Sequence, residues 1–492
     1  MRLHKLSLVS IQTGLLISLF FVFNQVQAQT EPPLKYAFKV PGGQELNPLK
    51  CVPLKKPKLI TKLHLPKITK PNSGTIPAGE EGDSAFIDED QADEALMKPP
   101  SEEELKRYLA NPGLLKNFHE AIRRAIDSRN IARVGLWGGS HMAAEFFPAE
   151  LRNALQDRYG IAGPGHINLL NGRAGIRIPD ATLCRQGGWR ESLAPRGSGS
   201  PTLTTGLGLY LLTATSSRSS LELALKDQKN GTRPTKITLH YLRQPDGGSF
   251  ELMADGQSLA VIETSGSQGL GVIEITGDKP LSTLKVITRE SLPVSLIGLY
   301  AESSRGVILD NFGIAGASGN YWNTVNADFL KLASEQRPYD VVVLAYGTND
   351  VTGKDWDPEA YRQKFAQTLG SMRKVFPKAA CLLIPPGDRV GRAGGRVPVK
   401  NKKGKTVMVY KSRLDFKTYP ERHALATDIQ RELGMKNQCL VWNMSLAMRQ
   451  MGGAYGMLKM EPPLMAKDLI HLTPKGYADM AAKLNNFLEL SR

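Results

Sequence analysis

Arg133-Val-Gly-Leu-Trp-Gly-Gly-Ser-His-Met142 is the stretch on which the reading of this chain turns. An apolar run climbs through Val134 to Trp137, two glycines follow, then Ser140, and a helical pattern begins at about Ala143. A run of this kind predicts a strand over 133–137, a tight turn and a helix through about Tyr159. A serine held on such a turn, at the mouth of a helix, has an exposed Oγ near the positive end of the helix dipole. On its own the stretch is also an ordinary strand-to-helix turn. Its weight depends on what the rest of the chain supplies.

Working outward, the same alternation returns far downstream. Val307-Ile-Leu309, Tyr339–Tyr346, 379–384 and 438–443 read as strands. Helical patterns at 322–334, 358–375, 419–434 and 474–490 lie between and after them. Val341-Val-Val-Leu-Ala is apolar throughout, as parallel strands covered on both faces require. The alternation predicts a parallel sheet in a three-layer α/β/α arrangement. Between the two blocks the texture changes. Eight short β-rich runs occur at 208–215, 219–225, 235–242, 249–254, 258–263, 270–276, 281–288 and 294–300. Asp246-Gly-Gly248, Asp255-Gly256 and Gly277-Asp278 supply turns. Such spacing predicts an all-β sandwich or jelly roll inserted into the α/β domain.

The chain has 492 residues, enough for two or three domains. With 41% hydrophobic and 22% charged residues it reads as a soluble globular protein. Residues 1–28 read as a secretory signal, with Arg2, His4 and Lys5 before an apolar run and a small-residue cleavage site at Val26-Gln-Ala28. Residues 29–100, rich in proline and lysine, read as an arm or linker, and 101–184 as the first part of the α/β domain. The β module is placed at 185–304 and the second α/β part at 305–492. Ser101 and Glu104 predict a capping box for a helix broken at Asn111-Pro-Gly113. The long basic, glycine-rich stretch 387–417 reads as a loop. No later segment has the 18 apolar residues that a membrane span needs. Export to the periplasm or cell envelope is expected.

The formal net charge of +16 favours a polyanionic setting such as cell-wall polymer, a membrane surface or nucleic acid. Much of the excess lies at Lys50–Lys70 and Arg389–Lys417, away from the α/β core. No basic stretch interleaved with aromatics supports nucleic-acid binding. Cys51, Cys184, Cys381 and Cys439 are the only cysteines. Export permits disulfides, and the strands of Cys381 and Cys439 could be neighbours, though spacing alone does not pair them. No cysteine–histidine spacing reads as a metal site, and no cofactor is expected.

Four short stretches fall at strand ends or at the entrance to a helix. They are Ser140, Asn311-Phe-Gly-Ile-Ala-Gly316, Gly347-Thr-Asn349-Asp350 and Asp468-Leu-Ile-His471. In an open parallel sheet the carboxyl ends of the strands form the rim where ligands bind. A serine hydroxyl needs a base to take its proton, and His471 is suited to that. The imidazole needs a partner for its other nitrogen, and Asp468 is three residues away. The amides of Ser140 and Gly316 and the side chain of Asn349 would stabilise an oxyanion. Taken singly, Asn349 and Asp350 read equally as caps of the helix after the strand, Asp468 and His471 could cap the last helix, and Gly316 reads first as a plain turn glycine. His141 reads as lining the pocket or packing beside the serine, and His166 and His423 as structural or surface residues. For Trp189, Tyr321, Trp322 and Trp356 core packing is the leading reading, with stacking on sugar rings as the alternative.

The order Ser, Gly, Asn, Asp-x-x-His resembles the SGNH branch of the GDSL esterases over about 133–185 and 305–490. That resemblance implies a flavodoxin-like sheet and a serine esterase. Ser140 would be the nucleophile, His471 the base, Asp468 its orienting acid, and Gly316 and Asn349 oxyanion donors with Ser140. The family pattern Gly-Asp-Ser appears here as Gly138-Gly139-Ser140. Ser140-His-Met-Ala-Ala-Glu-Phe-Phe, Gly163-Pro-Gly165, the inserted β module and Pro385-Pro-Gly-Asp-Arg389 are similar to exported bacterial peptidoglycan O-acetylesterases. In those a carbohydrate-binding-like module sits at this point. The activity implied is removal of O-acetyl groups from a cell-envelope polysaccharide, with the muramic-acid 6-O-acetyl group of peptidoglycan as the leading substrate. Two alternatives stand beside it: a polysaccharide O-acetyltransferase using the same acetyl-enzyme, and a glycan-binding envelope protein with a decayed hydrolase core.

Overall fold

The computed structural model describes residues 31–45, 51, 86–88, 99–170, 173, 175–194, 203–400 and 404–490. The signal read at 1–28 and most of the arm lie outside these residues. Five parallel strands form the central sheet: β1 (Ile131–Gly138), β2 (Gly306–Asn311), β3 (Val341–Ala345), β4 (Ala380–Leu383) and β5 (Cys439–Val441). Their order is β2-β1-β3-β4-β5. This is the doubly wound order that gathers ligand-binding loops at the carboxyl ends of the strands.

Helices cover both faces. One face carries α1 (Pro112–Arg129), α2 (Phe146–Tyr159) and α6 (Pro474–Phe487), whose buried side chains share a core with Val134, Val341 and Val343. The other face carries α3 (Ala327–Gln336), α4 (Pro358–Val375) and α5 (Thr418–Lys436), which pack against Val342 and Leu344. Alternate residues of β3 therefore enter different cores, which is why the strand is apolar at every position. The expected capping box is present: Ser101 Oγ accepts from the Glu104 N–H, and Glu104 accepts from the Ser101 N–H.

The β module leaves the chain between β1 and β2. Its strands at 210–214, 220–225, 236–243, 249–254, 257–263, 269–277, 283–288 and 294–302 fall on the eight β-rich runs. Strands 165–166, 181–186 and 189–193 join them. They form two sheets, antiparallel but for one edge. There Leu34–Val40, from the proline- and lysine-rich segment, runs parallel to 269–277. A bridge from Cys51 to Cys184 ties the same segment to the second sheet. The module's core is continuous with the α3–α5 face of the α/β domain. Trp137, in the opening stretch, is the joint: it is fully buried, stacks on Phe312, and donates Nε1–H to the Leu207 carbonyl of the insert at 2.7 Å.

The stretch 387–417 is not a loop. Gly391–Lys400 and Thr406–Asp415 form a ten-residue antiparallel ladder, and Phe86–Asp88 pairs along 413–415. Glycines and cations hide the strand signal, but Val397 and Val399 are register partners of Val409 and Val407. The backbone ladder pairs groups that a loop would leave to water. Cys381 and Cys439 are register partners on β4 and β5 and are joined by a disulfide.

Candidate active site

The turn after β1 places Ser140 first in a four-residue helix, Ser140–Ala143, with Gly139 as its N-cap. Asn311, at the end of β2, clamps the neighbouring strand end to this turn. Its Nδ2 donates to the Met142 carbonyl at 2.8 Å, and its Oδ1 accepts from the Gly313 N–H at 2.9 Å. The chain then turns through Gly316, which has φ +80°. The Gly316 N–H has no partner among the described residues.

After β3 the chain turns at Gly347, which has φ +131° and lies against Pro386; a Cβ there would sit 2.5 Å from Pro386 Cδ. Only glycine fits both the conformation and the space. The turn delivers Asn349, whose Nδ2 donates to the Ala317 carbonyl at 2.9 Å. A carboxamide nitrogen carries two hydrogens, so one N–H remains for another acceptor. Asp350 is set beneath, its Oδ1 accepting from the Gly319 N–H at 3.1 Å. Burial raises its carboxyl to about 6.

The fourth stretch closes the line. Leu469, fully buried with φ +57°, folds the segment between Asp468 and His471 back on itself. Asp468 Oδ1 then accepts from the N–H groups of Ile470 (3.0 Å) and His471 (2.9 Å). Its Oδ2 accepts from His471 Nδ1 at 2.7 Å. His471 Nε2 in turn accepts from Ser140 Oγ at 2.8 Å. Burial pushes the Asp468 carboxyl up, but the hydrogen bonds from His471 and from the two backbone N–H groups outweigh it, so it lies below the ordinary carboxylate value. The side chains of His471 and Asp468 remain 39% and 47% exposed, so water reaches this line.

The structure thus brings Ser140, His471 and Asp468 into one hydrogen-bonded row, with Asn349 beside Gly139. Such a row can move the serine proton onto the imidazole while the carboxylate holds the ring. His141 packs against it, its ring centroid 5.4 Å from that of His471 and its Nδ1 3.0 Å from the Tyr477 hydroxyl. Desolvation and the neighbouring His471 push its pKa down to about 3, so it is neutral. Tyr477 was the partner that sequence reasoning missed; it lies one helical turn into α6, six residues after His471. His166 and His423 are both buried and bonded to backbone carbonyls, of Asn311 and Gly387 respectively. Tyr321 and Trp322 are core residues, whereas Trp189 and Trp356 are half-buried.

Residues 293–478 match the model of the GDSL-like lipase/acylhydrolase family. The match begins one residue before the last strand of the insert and so does not include Ser140. No curated protein matches the chain. Among solved structures, a peptidoglycan O-acetylesterase is similar, at 23% identity over 76% of this chain and 95% of that one, with a TM-score of 0.57. A family two carbohydrate esterase from Cellvibrio japonicus aligns at 10% identity over 63% of this chain and 100% of that one, with a TM-score of 0.23. Over 293–478 the chain is thus similar to the GDSL-like lipases and acylhydrolases, and it shares with the peptidoglycan O-acetylesterase structure the fold of an α/β domain interrupted by a β module.

Proposed function

We propose that the protein is an exported serine esterase that removes O-acetyl groups from a cell-envelope polysaccharide, with the muramic-acid 6-O-acetyl group of peptidoglycan as its substrate. The observation that carries this reading is the unbroken row Ser140 Oγ–His471–Asp468, at 2.8 and 2.7 Å. Ser140 Oγ bonds to the acetyl carbonyl carbon as His471 Nε2 takes its proton. The negative oxygen that forms is met by the N–H groups of Ser140 and Gly316 and by the second Nδ2 hydrogen of Asn349. The C–O bond to the sugar breaks, and His471 returns the proton to the departing sugar oxygen. Water, deprotonated by His471, attacks the acetyl-Ser140 ester, and acetate leaves as Oγ regains its proton.

The open face of His471 and Asp468 favours water over a sugar hydroxyl as the acceptor. Two disulfides suit an oxidising compartment, in keeping with the signal read at 1–28. The +16 charge suits an anionic wall polymer. The test is acetate release from O-acetylated peptidoglycan by the mature chain and by Ser140→Ala. Release by the wild type alone is expected. Equal release by both would refute the reading, and an acetylated sugar product in place of acetate would make the enzyme a transferase.

A further inference from the structure

The row of Ser140, His471 and Asp468 is open to water, and 39% of the His471 side chain is exposed. A side chain that exposed keeps much of its rotamer freedom. The hydrogen bonds at 2.8 and 2.7 Å hold Nε2 and Nδ1. The tilt of the ring about the line through those two atoms is left to whatever packs on its face. Among the described residues the ring in contact with it is His141, with centroids 5.4 Å apart and planes at 43°.

His141 is itself held from behind. Its Nδ1 lies 3.0 Å from the Tyr477 hydroxyl, and the two rings meet edge to face at 5.9 Å. Tyr477 stacks on Phe146 of α2 at 6.2 Å, and the Arg177 guanidinium lies 4.5 Å from the centre of the Phe146 ring. A column of rings thus runs from the base into the body of the domain.

The Tyr477 hydroxyl joins the two halves of the site. It meets His141, the residue after the nucleophile, and it accepts from the backbone N–H of Leu472, the residue after the base. His141 and Tyr477 are 336 residues apart in the chain. Burial pushes the phenol up, so it keeps its hydrogen. With the Leu472 N–H on its oxygen, that hydrogen is directed at His141 Nδ1, which accepts it. His141 stays uncharged, its pKa pushed down to about 3 by burial first and by His471 second. A neutral ring can lie against the base without opposing the positive charge that His471 takes up with the serine proton. An apolar ring at 141 would supply packing alone; the bond to Tyr477 also fixes the orientation of the ring.

We propose that His141 and Tyr477 are positioning residues for the base, and that their hydrogen bond keeps the His471 ring aligned on Ser140. The reaction they serve rests on the esterase reading above. The alignment itself acts in any reaction in which Ser140 gives its proton to His471.

The test measures, on the mature chain, the second-order rate at which a fluorophosphonate labels Ser140, together with kcat and KM for 4-nitrophenyl acetate. Tyr477→Phe keeps the column of rings and removes only the hydroxyl. It should lower the labelling rate and kcat roughly tenfold to a hundredfold and leave KM within about twofold. His141→Phe keeps a ring and removes the acceptor, and its losses should be similar. The double variant should be no slower than the slower single variant, since both lose the same bond. Thermal melts establish that each variant is folded; if His141→Phe is not, Tyr477→Phe alone decides. Wild-type rates in folded Tyr477→Phe, losses that multiply in the double variant, or a raised KM with kcat intact would each overturn the proposal. A wild type that is labelled at Ser140 but releases no acetate from O-acetylated peptidoglycan sinks the esterase reading alone. Acetate release by the wild type, with unchanged rates in the variants, sinks the positioning role alone.

Discussion

Gly139 departs from the family pattern, and its surroundings give a physical reason. A Cβ at this position would lie 3.0 Å from Asn349 Nδ2 and 3.3 Å from the Ala317 carbonyl oxygen. The space that a side chain would fill is taken by the carboxamide itself, hydrogen-bonded to Ala317. Gly139→Ala should therefore displace Asn349 by a few tenths of an ångström and lower kcat, by up to the 10²- to 10³-fold that losing an oxyanion donor costs, while Tm changes little. Steady-state kinetics with a thermal melt check this; unchanged kcat would separate Asn349 from the chemistry. Asp468 makes a second prediction. Its carboxyl is held below the ordinary value, so it stays ionised at mildly acid pH. Asp468→Asn should cost roughly 10²- to 10⁴-fold in kcat at neutral pH, with KM little altered, because the ring loses its anionic partner and its enforced tautomer. At this scale most of the site was legible in the sequence. Ser140, Asn349, Asp468 and His471 each sit in a local pattern tied to a strand end or a helix entrance. Tyr477 and the clamp that Asn311 makes on Met142 were not, because they come from neighbours distant in the chain.

Elements were legible where periodicity was strong. The apolar run of β3 and the eight runs of the β module each carry their own signal. The hairpin at 391–415 does not, because its valines are diluted by glycine and lysine and its order comes from cross-strand pairing. The edge strand Leu34–Val40 is hidden for a related reason: its pairing partner lies at 271–277. The bridge between β4 and β5 offers a prediction at this scale. These are short neighbouring strands near the sheet edge, and the disulfide closes 58 residues of chain. Replacing Cys381 and Cys439 by alanine should cost about 2–4 kcal/mol of stability by chain-entropy reasoning. The row of Ser140, His471 and Asp468 lies on other elements, so kcat should hold below the lowered Tm. Denaturant melts and turnover of the double variant decide it; a fall in kcat at temperatures where the protein is folded would contradict the separation.

At the scale of the molecule, insert and α/β domain are joined by buried charge as well as by Trp137. Glu302 ends the last strand of the module, and Arg133 of β1 donates to it at 2.9 and 3.0 Å. Arg337, after α3, bridges Glu302 and Asp310 of β2, meeting Asp310 Oδ2 at 2.8 Å. All but the partly buried Arg133 are nearly inaccessible. Burial alone would raise the Glu302 carboxyl, but Arg337 and Arg133 more than offset that and hold it well below its ordinary 4.5. A carboxylate depressed in the folded state adds stability above the unfolded value and loses it as pH falls. Glu302→Gln should therefore lower Tm at pH 7, and the gap from wild type should narrow as pH drops below about 4.5. Arg337→Met strands two buried carboxylates and should cost roughly 3–5 kcal/mol. Thermal melts across pH test both; a pH-independent gap for Glu302→Gln would contradict the assignment. None of these four residues could be paired from the sequence, since they come from four different segments. The same long-range assembly brings the serine to its base across the inserted module. The most direct measurement of the central claim is the mass of the Ser140-containing peptide after rapid quench of the enzyme with an acetylated substrate. The account predicts a transient gain of one acetyl group at Ser140, absent in Ser140→Ala. Acetate release with no acetyl group ever carried by Ser140 would contradict it.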